Sequence, residues 1–340
     1  MRLMQAMAGA EFGGAEEFFV RLASAVARTD IEQRVLVRPI GDRLERLRIA
    51  GCDVRPVKFG GAMDIGSRLA FRRETRDFKP DVVLTWMNRA SQFCPKGKYV
   101  QVGRLGGYYD LKYYESCKHL IGNTQDIVDH IIGKGWPADR AHYLPNFVTA
   151  EQAEPVARAP LHTPDGAPLL LALGRLHENK AFDVLLHALA KLPDTYLWLA
   201  GEGPLKDDLQ ALAERIGVRP RVRFLGWRTD MPALMAACDY FVCPSRHEPL
   251  GNVVIEAWAH GRPVIAADSL GPGMLITEGV NGLLAPVDDS TALAKQIKRL
   301  LRDDDLAERL ATNGWKKYKA EYTEKVVVEQ YRQFFEKVIS

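Results

Sequence analysis

At 340 residues the chain is too long for one ordinary compact domain and comfortable for two, each able to bury a core of its own. With 47% hydrophobic and 26% charged residues, and no low-complexity tract or short-period repeat, its composition is that of a globular protein and excludes a disordered or fibrous one. The formal net charge of +3 conceals an asymmetry: residues 1–150 hold 23 Lys/Arg against 17 Asp/Glu, and residues 151–340 hold 23 against 26. From the N-terminus, short apolar and β-branched runs at 2–7, 34–37, 54–57, 81–86, 98–102, 120–122 and 141–144 predict strands, with helical patterns such as 15–27 and 124–133 between them. Stretches carrying Arg43, Arg46 and Arg48, and then Arg68, Arg72, Arg73, Arg76 and Lys79, also read as helices. Their basic faces are either solvated surface or a means of attracting an anionic membrane or acceptor. Nucleic acid is not an expected partner, because no basic-aromatic motif accompanies the charge.

Periodicity breaks down over 151–168, a stretch with Pro155, Pro160, Pro164 and Gly166 that reads as a linker. Strand patterns resume at 169–173, 196–200, 222–225, 240–243 and 264–267, each followed by a helical stretch. Beyond Ser290 the pattern is helical throughout, and it ends in a helix over 323–339 whose Tyr331, Phe334 and Phe335 must be buried on the second domain or on the first. Such alternation is the signature of βαβ units and parallel sheets. The expected organisation is α/β, with one Rossmann-like domain over 1–150, the linker, a second over 169–322, and a C-terminal helix over 323–340.

No apolar run approaches the roughly 18 residues that would span a bilayer. Residues 1–5 read as a strand rather than as the apolar segment of a signal peptide, so a cytoplasmic location is expected. Cys52, Cys94, Cys117, Cys238 and Cys243 are scattered and free of CxxC spacing, which suggests neither a disulfide framework nor a zinc site.

The most informative stretch runs Cys243-Pro-Ser-Arg-His-Glu248-Pro-Leu-Gly251-Asn-Val-Val-Ile-Glu256. A strand ends at Cys243, a loop carries Glu248, and Gly251 permits a tight turn into a helix starting near Asn252. The unpaired amides of that first turn favour an anion. Glu248 before the helix and Glu256 within it are placed to meet opposite ends of one ligand, ribose hydroxyls at one and sugar hydroxyls at the other; the plainer alternative is a helix start decorated with acids. Arg175 and Lys180, in the loop after the first strand of the second domain, are placed to neutralise a diphosphate, or else are ordinary surface charges. Gly201-Glu202-Gly203-Pro204 and Gly13-Gly14-Ala15-Glu16 close further strand-to-helix turns, none of which spells a dinucleotide or P-loop fingerprint. Arg104 follows a strand predicted to end at 102, among Gly103, Gly106 and Gly107. There it is expected to contact an anionic group on an acceptor or donor sugar, with Tyr108 and Tyr109 stacking on a sugar ring, the alternative being a pair with Asp110.

Taken together, Gly13-Gly14-Ala15-Glu16, Gly174-Arg175 with Lys180, Gly201-Glu202-Gly203-Pro204, Phe224-Leu-Gly226-Trp227 and the E-x7-E pair Glu248 and Glu256 resemble the retaining glycosyltransferases of the GT-B fold, specifically the family-4 group. The resemblance spans nearly the whole chain. It implies two Rossmann-like domains facing each other across a cleft, with the C-terminal helix crossing back onto the first. By that resemblance Arg175 and Lys180 bind the donor diphosphate, Glu256 the ribose and Glu248 the donor sugar. The amides of Leu250, Gly251 and Asn252 meet the distal phosphate and sugar, and the backbone near Trp227 and Arg228 the base. Gly203 belongs to the donor site too, and Gly13 and Gly14 give donor or acceptor close access to the first domain, whose acceptor side also includes Arg104 and Tyr108. Many members carry a histidine in the loop that here reads Gly103-Arg104-Leu-Gly-Gly107, where this chain has none.

The implied enzyme is a hexosyl- or N-acetylhexosaminyltransferase that uses a UDP- or GDP-sugar, with Glu248, Arg175, Lys180 and Arg104 as its catalytic set. A hydroxyl of a glycan, lipid or small molecule would accept the sugar, in cell-envelope or polysaccharide synthesis, with peripheral contact at the inner face of the membrane through the basic first domain. No cofactor is expected: the only DxD, at Asp303-Asp304-Asp305, lies between helical stretches away from every candidate loop, so cations and helix amides would do the work of a metal. The alternatives are a nucleotide-sugar epimerase and a non-catalytic nucleotide-sugar-binding protein of the same fold.

Overall fold

A computed structural model describes every residue except Phe12 and Ala62. It divides into two compact units, Met1–Phe147 with Glu324–Ser340, and Val148–Thr323. In the first unit the order is β1 (Arg2–Met7), α1 (Gly14–Val26), β2 (Glu32–Val37), α2 (Arg43–Ile49), β3 (Asp53–Pro56), α3 (Ile65–Phe78), β4 (Val82–Trp86), α4 (Met87–Phe93), β5 (Val100–Leu105), β6 (His119–Gly122), α5 (Gln125–Gly133) and β7 (Ala141–Tyr143). All pairings are parallel, in the order β3-β2-β1-β4-β5-β6-β7.

The second unit continues with β8 (Leu169–Leu173), α6 (Phe182–Leu189), β9 (Tyr196–Ala200), α7 (Lys206–Arg215), β10 (Val222–Gly226), α8 (Met231–Ala237), β11 (Tyr240–Cys243), α9 (Asn252–Ala259), β12 (Val264–Ala267), α10 (Leu270–Leu275), β13 (Leu283–Ala285), α11 (Ser290–Leu300) and α12 (Asp304–Glu321). Its parallel sheet runs β10-β9-β8-β11-β12-β13. Central strands such as β8, Leu-Leu-Leu-Ala-Leu, are buried along their whole length because helices cover both faces. Short polar side chains start several helices: Asp64 accepts from the Ser67 amide at 2.9 Å, Thr124 from Ile127 at 3.2 Å and Asp303 from Leu306 at 2.9 Å. The Asp303 that opens the DxD is thus a helix cap.

The last helix, α13 (Glu324–Ile339), belongs to the first unit. Val327, Tyr331, Phe334 and Phe335 are buried in one cluster with Phe18 and Phe19 of α1, Trp86 of β4 and Phe147. Burying each such side chain stabilises the unit by about 1.5–3 kcal/mol. Two expectations need correction. Residues 151–168 are no free linker: the Val156 amide donates to Ala233 at 3.1 Å, and Arg158 donates to the carbonyl of Ala237 at 2.7 Å and to Asp239 at 2.9 Å, so the stretch is built into the second unit. The strand predicted over 98–102 is Val100–Leu105, which carries Arg104 inside the sheet.

Candidate functional site

Each sheet reverses its strand order once, between β1 and β4 and between β8 and β11. In open parallel sheets, ligands bind outside the C-terminal ends of the strands at such switch points. In the second unit the loops there are 174–181 after β8 and 244–251 after β11, the two that carry Arg175, Lys180 and Glu248.

These loops are packed to backbone contact. The Gly174 amide donates to Ala200 at 3.0 Å and the Gly201 amide to Gly226 at 2.8 Å, which carries the ladder past the strand ends. Gly201 has φ +145°, and a Cβ there would lie 1.9 Å from the Gly174 carbonyl oxygen, so nothing larger than glycine fits. Gly203 lies under the same loop, and a Cβ on it would come within 2.3 Å of the Leu176 oxygen. Arg175 is exposed beside this ridge.

Lys180 closes a short turn, and its ammonium forms an ion pair with the Glu248 carboxylate; both side chains are mostly buried. The other Glu248 oxygen faces the Gly251 amide at 3.4 Å. Gly251, at φ +66°, turns the chain into α9, so the amides of Leu250, Gly251 and Asn252 gather at the helix start beside the carboxylate. Gly271 in α10 clamps this loop, its amide donating to the Glu248 carbonyl at 2.7 Å. A Cβ on Gly271 would strike that oxygen at 2.5 Å. Glu256 lies half-buried in the second turn of α9.

Arg246 ties the two loops together. It grips Asp183 through two bonds of 2.7 and 3.0 Å, donates to the Glu178 carbonyl at 2.8 Å and pairs with Asp288. The Asp183 carboxylate holds the guanidinium above its ordinary pKa. In the sequence, Arg246 shows only as a cation two residues before the E-x7-E motif, and Gly271 belongs to a Gly-Pro-Gly that completes no phosphate-binding fingerprint. Trp227, at the end of β10, is 78% exposed, and Arg228 beside it is held by Asp230 at 2.7 Å.

In the first unit, Gly13 and Gly14 are exposed at the start of α1, and the Glu16 carboxylate folds back over that turn to accept from the Ala10 amide at 2.9 Å. A carboxylate therefore sits at the N-terminal end of α1, where the resemblance implied close access for donor or acceptor. Tyr108 is exposed and bonded to Asp126.

Arg104 is a correction. It is 1% exposed, donates to the Tyr331 hydroxyl at 2.8 Å and to the Asn146 side chain at 2.5 Å, and lies 4.7 and 4.5 Å from the rings of Phe18 and Trp86. The guanidinium is bound within the core of its unit, while Asp110, the other partner considered for it, pairs with Lys112 at 2.7 Å.

The sequence profile of the family described as glycosyl transferases group 1 matches residues 167–303. Over 344 aligned residues the chain is 37% identical to the lipopolysaccharide core biosynthesis glycosyltransferase LpsD of Rhizobium meliloti (strain 1021), an alignment covering 100% of this chain and 99% of that protein. It is likewise 37% identical over 326 residues to LpsE of the same organism, a protein of the same description, covering 94% of this chain and 95% of the other. Among solved structures, HepE of Anabaena, crystallised in complex with UDP, has the same fold, with a TM-score of 0.86 at 22% identity over 99% of each chain.

Proposed function

The chain belongs to the group 1 glycosyl transferases, and we propose that it moves a hexose or N-acetylhexosamine from a UDP-sugar to a hydroxyl of a growing lipopolysaccharide core, with retention and without a divalent metal. The observation that carries this reading is the Lys180–Glu248 pair beside the Leu250–Asn252 amides. An incoming diphosphate would draw Lys180 away from Glu248, and the released carboxylate would accept from the donor sugar's hydroxyls. Arg175, exposed at the Gly174 turn, would add a second cation. Glu256 suits the ribose and the backbone at Trp227 and Arg228 the base. The likeness to the lipopolysaccharide glycosyltransferases supports a glycan acceptor, and HepE's UDP supports uracil as the base.

As the bond from the anomeric carbon to the phosphate oxygen breaks, negative charge gathers on the leaving UDP, and cations and amides aimed at it stabilise the transition state more than the ground state. The acceptor oxygen bonds to the same face of that carbon, and its proton passes to the leaving phosphate oxygen. Two measurements test this. UDP at about 100 times its dissociation constant should stabilise the protein by about 2.7 kcal/mol, seen as a raised melting temperature. Transfer should survive excess EDTA and give a product with the donor's anomeric configuration by NMR; an inverted product or strict metal dependence would count against the mechanism.

No helix among the described residues is long and apolar enough to cross a membrane. Peripheral contact at the inner face of the membrane would suit α3, where Ile65 (68% exposed), Leu69 (61%), Arg72 and Arg76 recur at helical spacing on one face. Co-sedimentation with vesicles containing phosphatidylglycerol, lost in an Ile65→Ser, Leu69→Ser variant, is the expected result.

A further inference from the structure

The switch point of the first unit opens into two joined cavities. One, of about 470 Å³, lies outside the ends of β1, β2 and β4, against Ala8–Ala10, Arg38 and Trp86–Arg89. The other, of about 700 Å³, continues past Arg68, Phe93, Lys96 and Lys112. Arg89, Gln92 and Tyr113 line both, so the two form one groove with Arg89 at its waist.

Most of the basic charge in this groove is unpaired, in contrast to Arg34 and Arg46 elsewhere in the unit. Arg34 is met by Asp53, Glu74 and Asp77, and Arg46 by Glu17. Among the described residues, Arg38, Arg68, Arg89 and Lys96 form no ion pair; Arg68 and Arg89 donate only to the carbonyls of Gln92 and Phe59, each at 3.2 Å. The two carboxylates on the groove wall are Glu16 and Glu115, and Glu16 is engaged by the Ala10 amide. Four uncompensated cations in one concavity favour an anion. The turn that presents Arg89 is strained: Met87, at the junction of β4 and α4, has φ +63°, a conformation that side chains larger than glycine adopt at a cost and that clusters at ligand sites. Half-buried Tyr109 and Tyr113, with Gln92, add ring faces and an amide suited to sugar.

We propose that this groove holds the acceptor and selects a saccharide bearing a phosphate or carboxylate, which Arg89 recognises. The proposal rests on the reading of the chain as a UDP-sugar transferase but concerns residues outside the donor site. Arginine's planar fork matches either group, which a neutral sugar would leave unmatched.

The test uses the full-length protein and a lipopolysaccharide core oligosaccharide as the probe, intact, stripped of phosphate with hydrofluoric acid, or carboxyl-reduced. Binding is titrated in the presence of UDP for the wild type, Arg89→Gln, Arg89→Lys and, as a control away from the groove, Lys134→Gln. Arg89→Gln should weaken the intact oligosaccharide by about 10- to 100-fold, the range of one charge-assisted contact, and leave UDP affinity within about twofold. Arg89→Lys should recover part of the loss, and Lys134→Gln should match the wild type. One chemical treatment should weaken wild-type binding to the same degree and erase the difference between wild type and Arg89→Gln, which identifies the group read. Equal affinity for all three oligosaccharides, an Arg89→Gln variant that binds like the wild type, or no binding of any oligosaccharide overturns the proposal. A protein that fails to bind UDP in the same titrations overturns the transferase reading instead.

Discussion

The two sheets share one topology and differ in what stands at the reversal of strand order. In the second unit the loops after β8 and β11 are pressed to backbone contact by Gly201 and Gly271, and most of their charges are paired, Lys180 with Glu248 and Arg246 with Asp183 of α6. In the first unit the corresponding loops leave a groove in which Arg38, Arg68, Arg89 and Lys96 have no carboxylate partners among the described residues, Lys112 alone pairing with Asp110. A donor's diphosphate and ribose are the same for many sugars, so a close-packed site built from backbone suits them. Acceptors differ from one enzyme to the next, and a roomy site lined by long side chains can be altered without disturbing the sheet beneath it.

That contrast can be broken at Arg104, which the sequence assigned to binding and the structure assigns to the core. Arg104→Ala removes a large buried side chain and leaves the Tyr331 hydroxyl and the Asn146 amide oxygen without their donor, so a loss of about 3–5 kcal/mol in unfolding free energy is expected by denaturant titration. UDP affinity should be unchanged in the folded fraction; weakened UDP binding at full stability would return Arg104 to the site. Gly201→Ala probes the other unit. Forcing a side chain into this conformation costs about 1–3 kcal/mol before the clash with Gly174 is counted, and UDP binding should fall together with stability. Lys180→Ala, which leaves the mostly buried Glu248 carboxylate without its cation, should lower kcat/KM by about 1.5–3 kcal/mol, roughly 10- to 150-fold, and lower the melting temperature with it. Unchanged kinetics would remove Lys180 from the donor site.

The smallest expected effect concerns the contact of β6 and β7 with α13. His119 Nδ1 and His142 Nε2 lie 3.0 Å apart, and both rings pack on Phe334. Burial, and then the neighbouring His119, hold the His142 imidazole down to about 4. It therefore stays neutral where an unfolded imidazole begins to protonate, near pH 6.5. Its contribution to stability is complete above about pH 6.5 and is lost as the pH falls towards 4. The melting temperature should drop by a few degrees more between pH 7 and 4.5 in the wild type than in His142→Leu; parallel curves would show that the pair does not govern it.

Strand positions were legible wherever apolar and β-branched residues ran together: 2–7, 169–173, 196–200, 240–243 and 264–267 are the observed β1, β8, β9, β11 and β12. β13 escaped because Leu-Leu-Ala carries no such signal, and it forms by pairing with β12 at the edge of the sheet. The loops bearing Lys180 and Glu248 were legible because turn glycines and charges fall close together in the chain. Arg104 was misplaced by a single error of length. Ending β5 at residue 102 put Arg104 in a loop, where glycine on either side invited a ligand, and its actual partners lie 42 and 227 residues away at Asn146 and Tyr331, separations that no local pattern reports. Most of the groove around Arg89 was invisible for the same reason: of the segments that form it only the turn after β1 carries a motif, Gly13-Gly14-Ala15-Glu16, whose Glu16 lines the wall.

Because α13 fills the core of the first unit beside Phe18, Trp86 and Phe147, the order of synthesis and the order of completion are opposed. When the ribosome has made residues 1–147, that sheet exists without the helix that covers part of it, and it must wait while the whole second unit is translated. The N-terminal unit thus finishes last, with a sticky apolar face to be shielded in the interval. A premature stop just after α12 would leave the second unit's sheet intact and release a polypeptide whose defect lies more than 150 residues upstream of the truncation.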